Sequence, residues 1–335
     1  MTPFHAAGLS RDTPPSPRYR IFGEVRVTEF LQHLVNGLSV GTIYALIALG
    51  YTMVYGVLKL INFAHGDVYM VGAFSGFYLA NAMGVGGSPS LAKALVVFVG
   101  SMIICGILGV LIERFAYRPL RHRARLTSLI TAIGVSFLLE YGFQLPSIPG
   151  LGIPFPPGPT PRFFPEPFTR VAWEPFGVYV SNYDVISFFT AVGLMLLLQY
   201  IVYRTRFGTS MRAVSFDSQV AGLMGINVNR VIAGTFALGS ALAAAAALLF
   251  AGSRPKVDPL MGLTLGIKAF VAAVFGGIGN VPGAMVGGLA LGLAEEYVSG
   301  YALSSYRDGI AFAFLIIVLL VRPAGLFGSF RPEKV

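Results

Sequence analysis

Asn62, His65 and Asp67 fall within one short stretch of an otherwise apolar segment, NGLSVGTIYALIALGYTMVYGVLKLINFAHGDVYMVGA (36–73), which Gly50 and Gly56 also interrupt. A carboxamide, an imidazole and a carboxylate so placed can line a path for a polar solute. Equally, they can cap a helix break and tie two helices together. Inside a bilayer an exposed polar group costs several kcal/mol, so such residues persist where they face protein interior or a water-filled path. A transport pathway is the first functional expectation.

A second candidate comes from an internal echo. Asn62-Phe63-Ala64-His65-Gly66 is followed by Met70-Val71-Gly72, and Asn280-Val281-Pro282-Gly283 by Met285-Val286-Gly287. Transporters that repeat a unit place broken helices and the substrate site at the repeat interface, which adds Asn280 to the pathway candidates. The match is short and its spacing differs, and glycine-rich membrane helices produce such echoes by chance.

Catalytic motifs do not appear. The sequence has no GxxxxGK[ST] phosphate loop, no HExxH and no GxSxG elbow. The histidines His5, His33, His65 and His122 are scattered, and Cys105 stands alone, so no metal site is expected. Asp67, Glu140 and the Glu295-Glu296 pair are the sparse carboxylates within apolar segments, too few for a proton-driven carrier. Energy is expected to enter from elsewhere.

The elements that must position these residues are membrane helices. Hydrophobic residues make up 55% of the 335 and charged ones 12%, and the mean hydropathy is +0.72. A soluble domain carries about twice that charged fraction. The 41 glycines suit close helix packing in lipid. Spans of about 20 apolar residues are expected at 29–56, 61–83, 91–116, 126–144, 183–203, 229–251, 263–279, 282–298 and 308–321, eight or nine in all. The fold class is thus all-α, a polytopic bundle with broken helices and a weak internal repeat. Residues 1–28 read as a disordered tail, 29–325 as the transmembrane domain and 326–335 as a carboxyl-terminal tail.

Arginine sets the orientation. Arg114, Arg118, Arg121, Arg123 and Arg125 follow the third span, Arg204, Arg206, Arg212 and Arg230 lie in the segment 204–230, and Arg322, Arg331 and Lys334 end the chain. That side, with the carboxyl terminus, is expected to be cytoplasmic. The side of the amino terminus stays open: three full spans before the first basic loop would put a basic tail outside unless the segment near Asn62 is re-entrant. The net charge of +9 is accounted for by these loops and calls for no nucleic acid. On the outer side, loop 145–182 concentrates ten of the 21 prolines beside the sole tryptophan, Trp173. Such a loop is expected to be stiff and extended, without helix or ladder pairing. It is either a connector with an interfacial tryptophan or a contact for an external partner. On the inner side, 204–230 is expected to hold an amphipathic helix from about Gly208 to Met224, ended by Gly225, that a motor subunit or lipid headgroups could engage.

The run NGLSVGTIYALIALGYTMVYGVLKLINFAHGDVYMVGAF, the segment MRAVSFDSQVAGLMGIN and the late GIKAFVAAVFGGIGNVPGAMVGGLALGLAEE together resemble the inner-membrane permease subunits of branched-chain amino acid ABC importers, of the LivH type. The resemblance covers nearly all of residues 30–327, and the proline-dense loop and extended amino-terminal tail depart from it. It implies a type II-like importer permease in the bacterial inner membrane. Its implied partners are a second permease of the LivM type, two cytoplasmic ATPases that hydrolyse the ATP, and an extracytoplasmic binding protein delivering leucine, isoleucine or valine. The chain itself would bind no cofactor and be no enzyme. Arg212, Ala213, Asp217, Gly225, Ile226 and Asn227 match the family segment that docks on an ATPase. Permeases for urea and short amides share the NFAHG-type block, and a self-sufficient channel or membrane enzyme is the reading from another class.

Overall fold

The computed structural model describes residues 18–121, 123–149, 155–301, 307–322 and 325–328. Among these residues the chain forms eleven α-helices: α1 (Arg18–Leu58), α2 (His65–Ala82), α3 (Leu91–Ile112), α4 (Arg125–Gln144), α5 (Asn182–Arg204), α6 (Arg206–Phe216), α7 (Ser218–Leu223), α8 (Val228–Ser253), α9 (Met261–Gly276), α10 (Val281–Tyr301) and α11 (Arg307–Val321). All but α6 and α7 run along the bundle, in agreement with the expected spans. Val27–Leu58, Leu91–Leu120, Leu126–Gln144, Asn182–Arg204 and Val228–Ser253 are each long and apolar enough to cross a membrane alone.

Small residues explain how the others pack. Gly37 and Gly41 sit one turn apart on α1, and Gly288 and Gly292 one turn apart on α10. A Cβ on Gly288 would overlap the Ala45 backbone, and one on Gly292 the Gly41 backbone. Backbones this close exchange dense van der Waals contact, which drives helix association where lipid removes the hydrophobic term. The five-alanine run Ala243–Ala247 of α8, fully buried, lets α2 approach in the same way: a Cβ on Gly72 would stand 2.6 Å from the Ala244 Cα.

The two ends of the bundle differ. At one, the Arg121 Nη1 donates to Asn229 Oδ1 at 2.6 Å, Ser215 Oγ donates to the Gly56 carbonyl at 2.5 Å, and Asn280 Nδ2 donates to the Phe327 carbonyl at 3.0 Å. This basic end gathers the arginines named above that lie in described segments. At the other, the loop end, Gln32 bonds both ways with the Tyr179 backbone at 2.7 and 3.0 Å, and Arg170 Nη2 donates to the Gly252 carbonyl at 3.0 Å. The start of α1 thus stands at the loop end and residues 325–328 at the basic end.

Two sequence expectations change here. Residues 18–28, expected in the tail, are the first turns of α1, since after Pro17 the chain holds Ile21, Glu24 and Val25 with no further proline to stop a helix. Residues 1–17 with His5, 329–335 with Arg331 and Lys334, and His122 and Pro154 lie outside the described residues. Loop 145–182 does pair: β1 (Arg162–Phe163) with β4 (Lys256–Val257), and β2 (Ala172–Trp173) with β3 (Val180–Ser181), both antiparallel. These two-residue ladders fall in gaps between prolines, where the backbone N–H is available.

Candidate functional site

The chain leaves α1 through Lys59, whose φ of 56° is left-handed and ends the helix. Residues 59–64 then turn back alongside α1. His65, at the start of α2, lies against Gly50, where a Cβ would collide with the imidazole. Gly50 is eight residues before the end of α1, so the ring sits about 12 Å back inside the bundle at 1.5 Å per residue. The absence of a side chain at Gly50 makes the room. His65 is 1% exposed, its ring meets Tyr51 edge-on at 4.7 Å, and Nε2 has no hydrogen-bond partner.

Asn62, 3% exposed, accepts a 2.8 Å hydrogen bond from Tyr117 Oη on its side chain, while its carbonyl accepts the His65 N–H at 3.1 Å. Tyr117 belongs to a π-turn, Glu113–Tyr117, that follows α3. Asp67 lies in the first turn of α2 and is 3% exposed; its Oδ2 accepts from Ser136 Oγ of α4. An acid in the first turn complements the helix dipole.

A second helix start meets this one. A Cβ on Gly66 would stand 2.5 Å from the Gly262 carbonyl oxygen and 3.0 Å from the Gly266 Cα, so the first turns of α2 and α9 abut. From that point α2 runs toward the loop end and α9 toward the basic end. Two discontinuous helices beginning side by side inside the bundle form the kind of break at which transporters bind solutes. Aromatic rings close it: Phe270 lies 5.9 Å from Tyr51 and 6.0 Å from Phe63.

Asn280 is not part of this cluster. It sits at the basic end, where its Oδ1 accepts the Gly283 N–H at 3.0 Å and caps α10. The two members of the sequence echo therefore both precede a helix running toward the loop end, but at different depths.

The segment expected as one helix from Gly208 to Met224 is two, α6 and α7, broken at Asp217. Asp217 Oδ1 accepts the Gln219 and Val220 N–H groups at 2.8 and 2.9 Å, a side-chain cap that competes with a continuous helix. Gly225, at φ 84°, closes α7, with Ile226 N donating to the Ala221 carbonyl at 3.0 Å. Asn227 caps α8 by accepting the Arg230 N–H at 3.1 Å. Arg212 folds back to the Val202 carbonyl, with its guanidinium 5.7 Å from the Tyr203 ring centre. Ala213 and Ile226 pack on the core. The matched residues thus shape this surface, while Val220, Leu223 and Met224, 53%, 88% and 78% exposed, form its outward face.

Two buried charge clusters escaped the sequence reading. Lys268 of α9, 6% exposed, donates to Glu295 Oε1 of α10 at 2.8 Å and pairs with Asp308 of α11 at 2.7 Å. Glu295 Oε2 also accepts from Tyr44 Oη of α1 at 2.8 Å. Glu113, fully buried, holds both Arg118 and Arg121. Lys268 was legible as a lone cation in the apolar run GIKAFVAAVFGG, but its partners lie too far off in sequence to be matched.

Helices broken inside an apolar bundle, with polar side chains at the break, define a membrane transport protein. The sequence model of the family described as "Branched-chain amino acid transport system / permease component" matches residues 33–319, and the chain belongs to that family. It is 42% identical over 310 residues to BraD of Pseudomonas aeruginosa, described as a high-affinity branched-chain amino acid transport system permease protein, covering 92% of this chain and 99% of the relative. LivH of Escherichia coli K12, with the same description, is 42% identical, covering 91% of this chain and 98% of the relative. LivM of the same organism is 25% identical over 309 residues, which is 87% of this chain and 69% of LivM.

Proposed function

We propose that this chain is the transmembrane permease subunit of an ATP-driven importer of leucine, isoleucine and valine, forming one half of its translocation pathway. The observation that carries this is the 42% identity over 98–99% of two permeases described for that transport. Those descriptions favour branched-chain amino acids over urea or short amides. The assembly would place a LivM-type permease beside it, two ATPases below it and a binding protein above it, in a bacterial inner membrane with the arginine-rich end and the carboxyl terminus in the cytoplasm. This chain would bind no cofactor; ATP would act through the motor subunits.

The α6–α7 surface supports the coupling role. Val220, Leu223 and Met224 project from a short helix braced by the Asp217 cap, the Gly225 turn and the Arg212 hook. A rigid apolar knob of this kind fits a groove on a motor subunit, whose movement would shift the helices between two packed states.

Membrane vesicles holding the four-part complex test the proposal. Labelled leucine should accumulate on addition of internal ATP and loaded binding protein, labelled urea should not, and an uncoupler at constant ATP should leave leucine uptake intact. The Leu223→Glu variant should insert normally and lose uptake together with ATPase co-purification. Leucine accumulation that vanishes with the uncoupler would overturn the ATP-driven reading.

A further inference from the structure

We propose that Glu140 and Asp67, on facing sides of the groove between α2 and α4, form a site for the ammonium group of the passing amino acid. The inference rests on the transport reading above and names a substrate contact within it. α4 presents one stripe to the bundle: Ser128, Ala132 and Glu140 are 3%, 0% and 5% exposed, and Ser136 of the same stripe donates to Asp67. Most of the helix's remaining large residues face outward, Ile130, Phe137 and Leu138 at 61%, 53% and 72% exposed. Glu140 stands one turn beyond Ser136, close enough to Asp67 for the two carboxyls to interact electrostatically. Among the described residues its own carboxyl takes no hydrogen bond, and no lysine or arginine pairs with either acid.

A buried carboxyl without a partner is costly, and two side by side are more so. The deficit is one of positive charge and of N–H donors, which an alkylammonium supplies together, with three donors for the free carboxyl oxygens. Toward the loop end from the acids, Val71 and Ser75 of α2, Ile104 of α3, Phe143 of α4 and Phe155 of the loop line a half-open cavity. Val71 is one turn from Asp67 and Phe143 one turn from Glu140, so the cavity and the acids share one face. Its apolar wall suits a branched aliphatic side chain, and the acids suit the nitrogen beside it.

The test uses the complete complex in vesicles, with binding protein saturating, and reads leucine transported per ATP hydrolysed and per inserted permease. Glu140→Gln keeps the volume and removes the charge. It should lower leucine per ATP about tenfold, the worth of one charge-assisted hydrogen bond, while ATPase stimulation by loaded binding protein stays at the parental value. Glu140→Asp should recover most of the loss. In the parental complex 3-methylbutylamine, an ammonium with the leucine-like side chain and no carboxylate, should inhibit uptake, and Glu140→Gln should relieve that inhibition. Unchanged leucine per ATP in Glu140→Gln, or parallel loss of transport and ATPase stimulation, would overturn the site. So would a requirement for sodium or potassium that disappears with the charge, which would assign the acids to an alkali cation. If the parental complex moves no leucine at all, it is the transport reading that fails, and the two failures are thereby distinguished.

Discussion

The α1–α10 seam and the α2–α4 contact are both helix pairs in one bundle, yet they are built on opposite principles. Along the seam, Gly37, Gly41, Gly288 and Gly292 bring backbone against backbone, and Tyr44, Glu295, Lys268 and Asp308 bind α1, α9, α10 and α11 into one charged network. Between α2 and α4 the described side-chain ties are the hydroxyl–carboxylate bond of Ser136 to Asp67 and a ring contact of Phe74 with Phe143 at 5.5 Å, beside Glu140 and a cavity. Packing at full density has few alternative arrangements, whereas a small polar contact beside empty space has several. The seam is a scaffold, and α4 is the more loosely held element.

The largest effect that could break this contrast is steric. Gly288→Val sets a branched side chain into the Ala45 backbone and should cost about 3 kcal/mol or more, beyond the usual range for overpacking because backbone cannot yield. The yield of monodisperse permease extracted from membranes should collapse; a normal yield would show the seam to be adjustable. Next comes charge. Lys268→Met removes the buried cation that donates to Glu295, whose carboxylate also accepts from Tyr44, at about 3–5 kcal/mol for a broken buried pair. The melting temperature in detergent should drop, and adding Glu295→Gln should restore much of it. Failure of that rescue would remove the network from the scaffold.

Gly50→Ala should act more mildly, about 1–3 kcal/mol of overpacking, because the atoms its Cβ meets first belong to the His65 side chain, with the Gly239 carbonyl farther off at 3.1 Å. Uptake should fall more than melting temperature if the break between α1 and α2 belongs to the pathway; equal falls would leave His65 a packing residue. The smallest effect falls on the loose side. Ser136→Ala removes the bond to Asp67 and should cost about 1 kcal/mol, with amide exchange accelerating in α4 and unchanged in α1 and α10. Acceleration in α10 as well would mean that the two regions are one cooperative unit.

Much of this architecture was legible from composition and spacing. Runs of apolar residues bounded by prolines, glycines and arginines located the long helices to within a few residues, the start of α1 excepted, because a bilayer demands that every backbone group bond within its own helix. Gly225 announced a helix end, since a left-handed turn is a local need. Asn62, His65 and Asp67 were visible for a related reason: polar groups stand out in an apolar run. Local chemistry of this kind is written in consecutive residues. The split of α6 from α7 at Asp217 was less evident, because a capping aspartate and a surface helical aspartate look alike until the backbone is seen.

What only the tertiary structure decided is which distant residues meet. Gly66 abuts Gly262, Glu295 finds Lys268 and Tyr44, and Glu140 comes beside Asp67 through packing between helices far apart in the chain. It also separated Asn280 from the residues its motif echoes, setting it at a helix cap on the basic end. Sequence determined that these side chains would be buried in a membrane bundle, since hydropathy is additive along a helix. Their partners depend on crossing angles and on the depth at which each helix begins, and those are set by the mutual fit of all the helices at once.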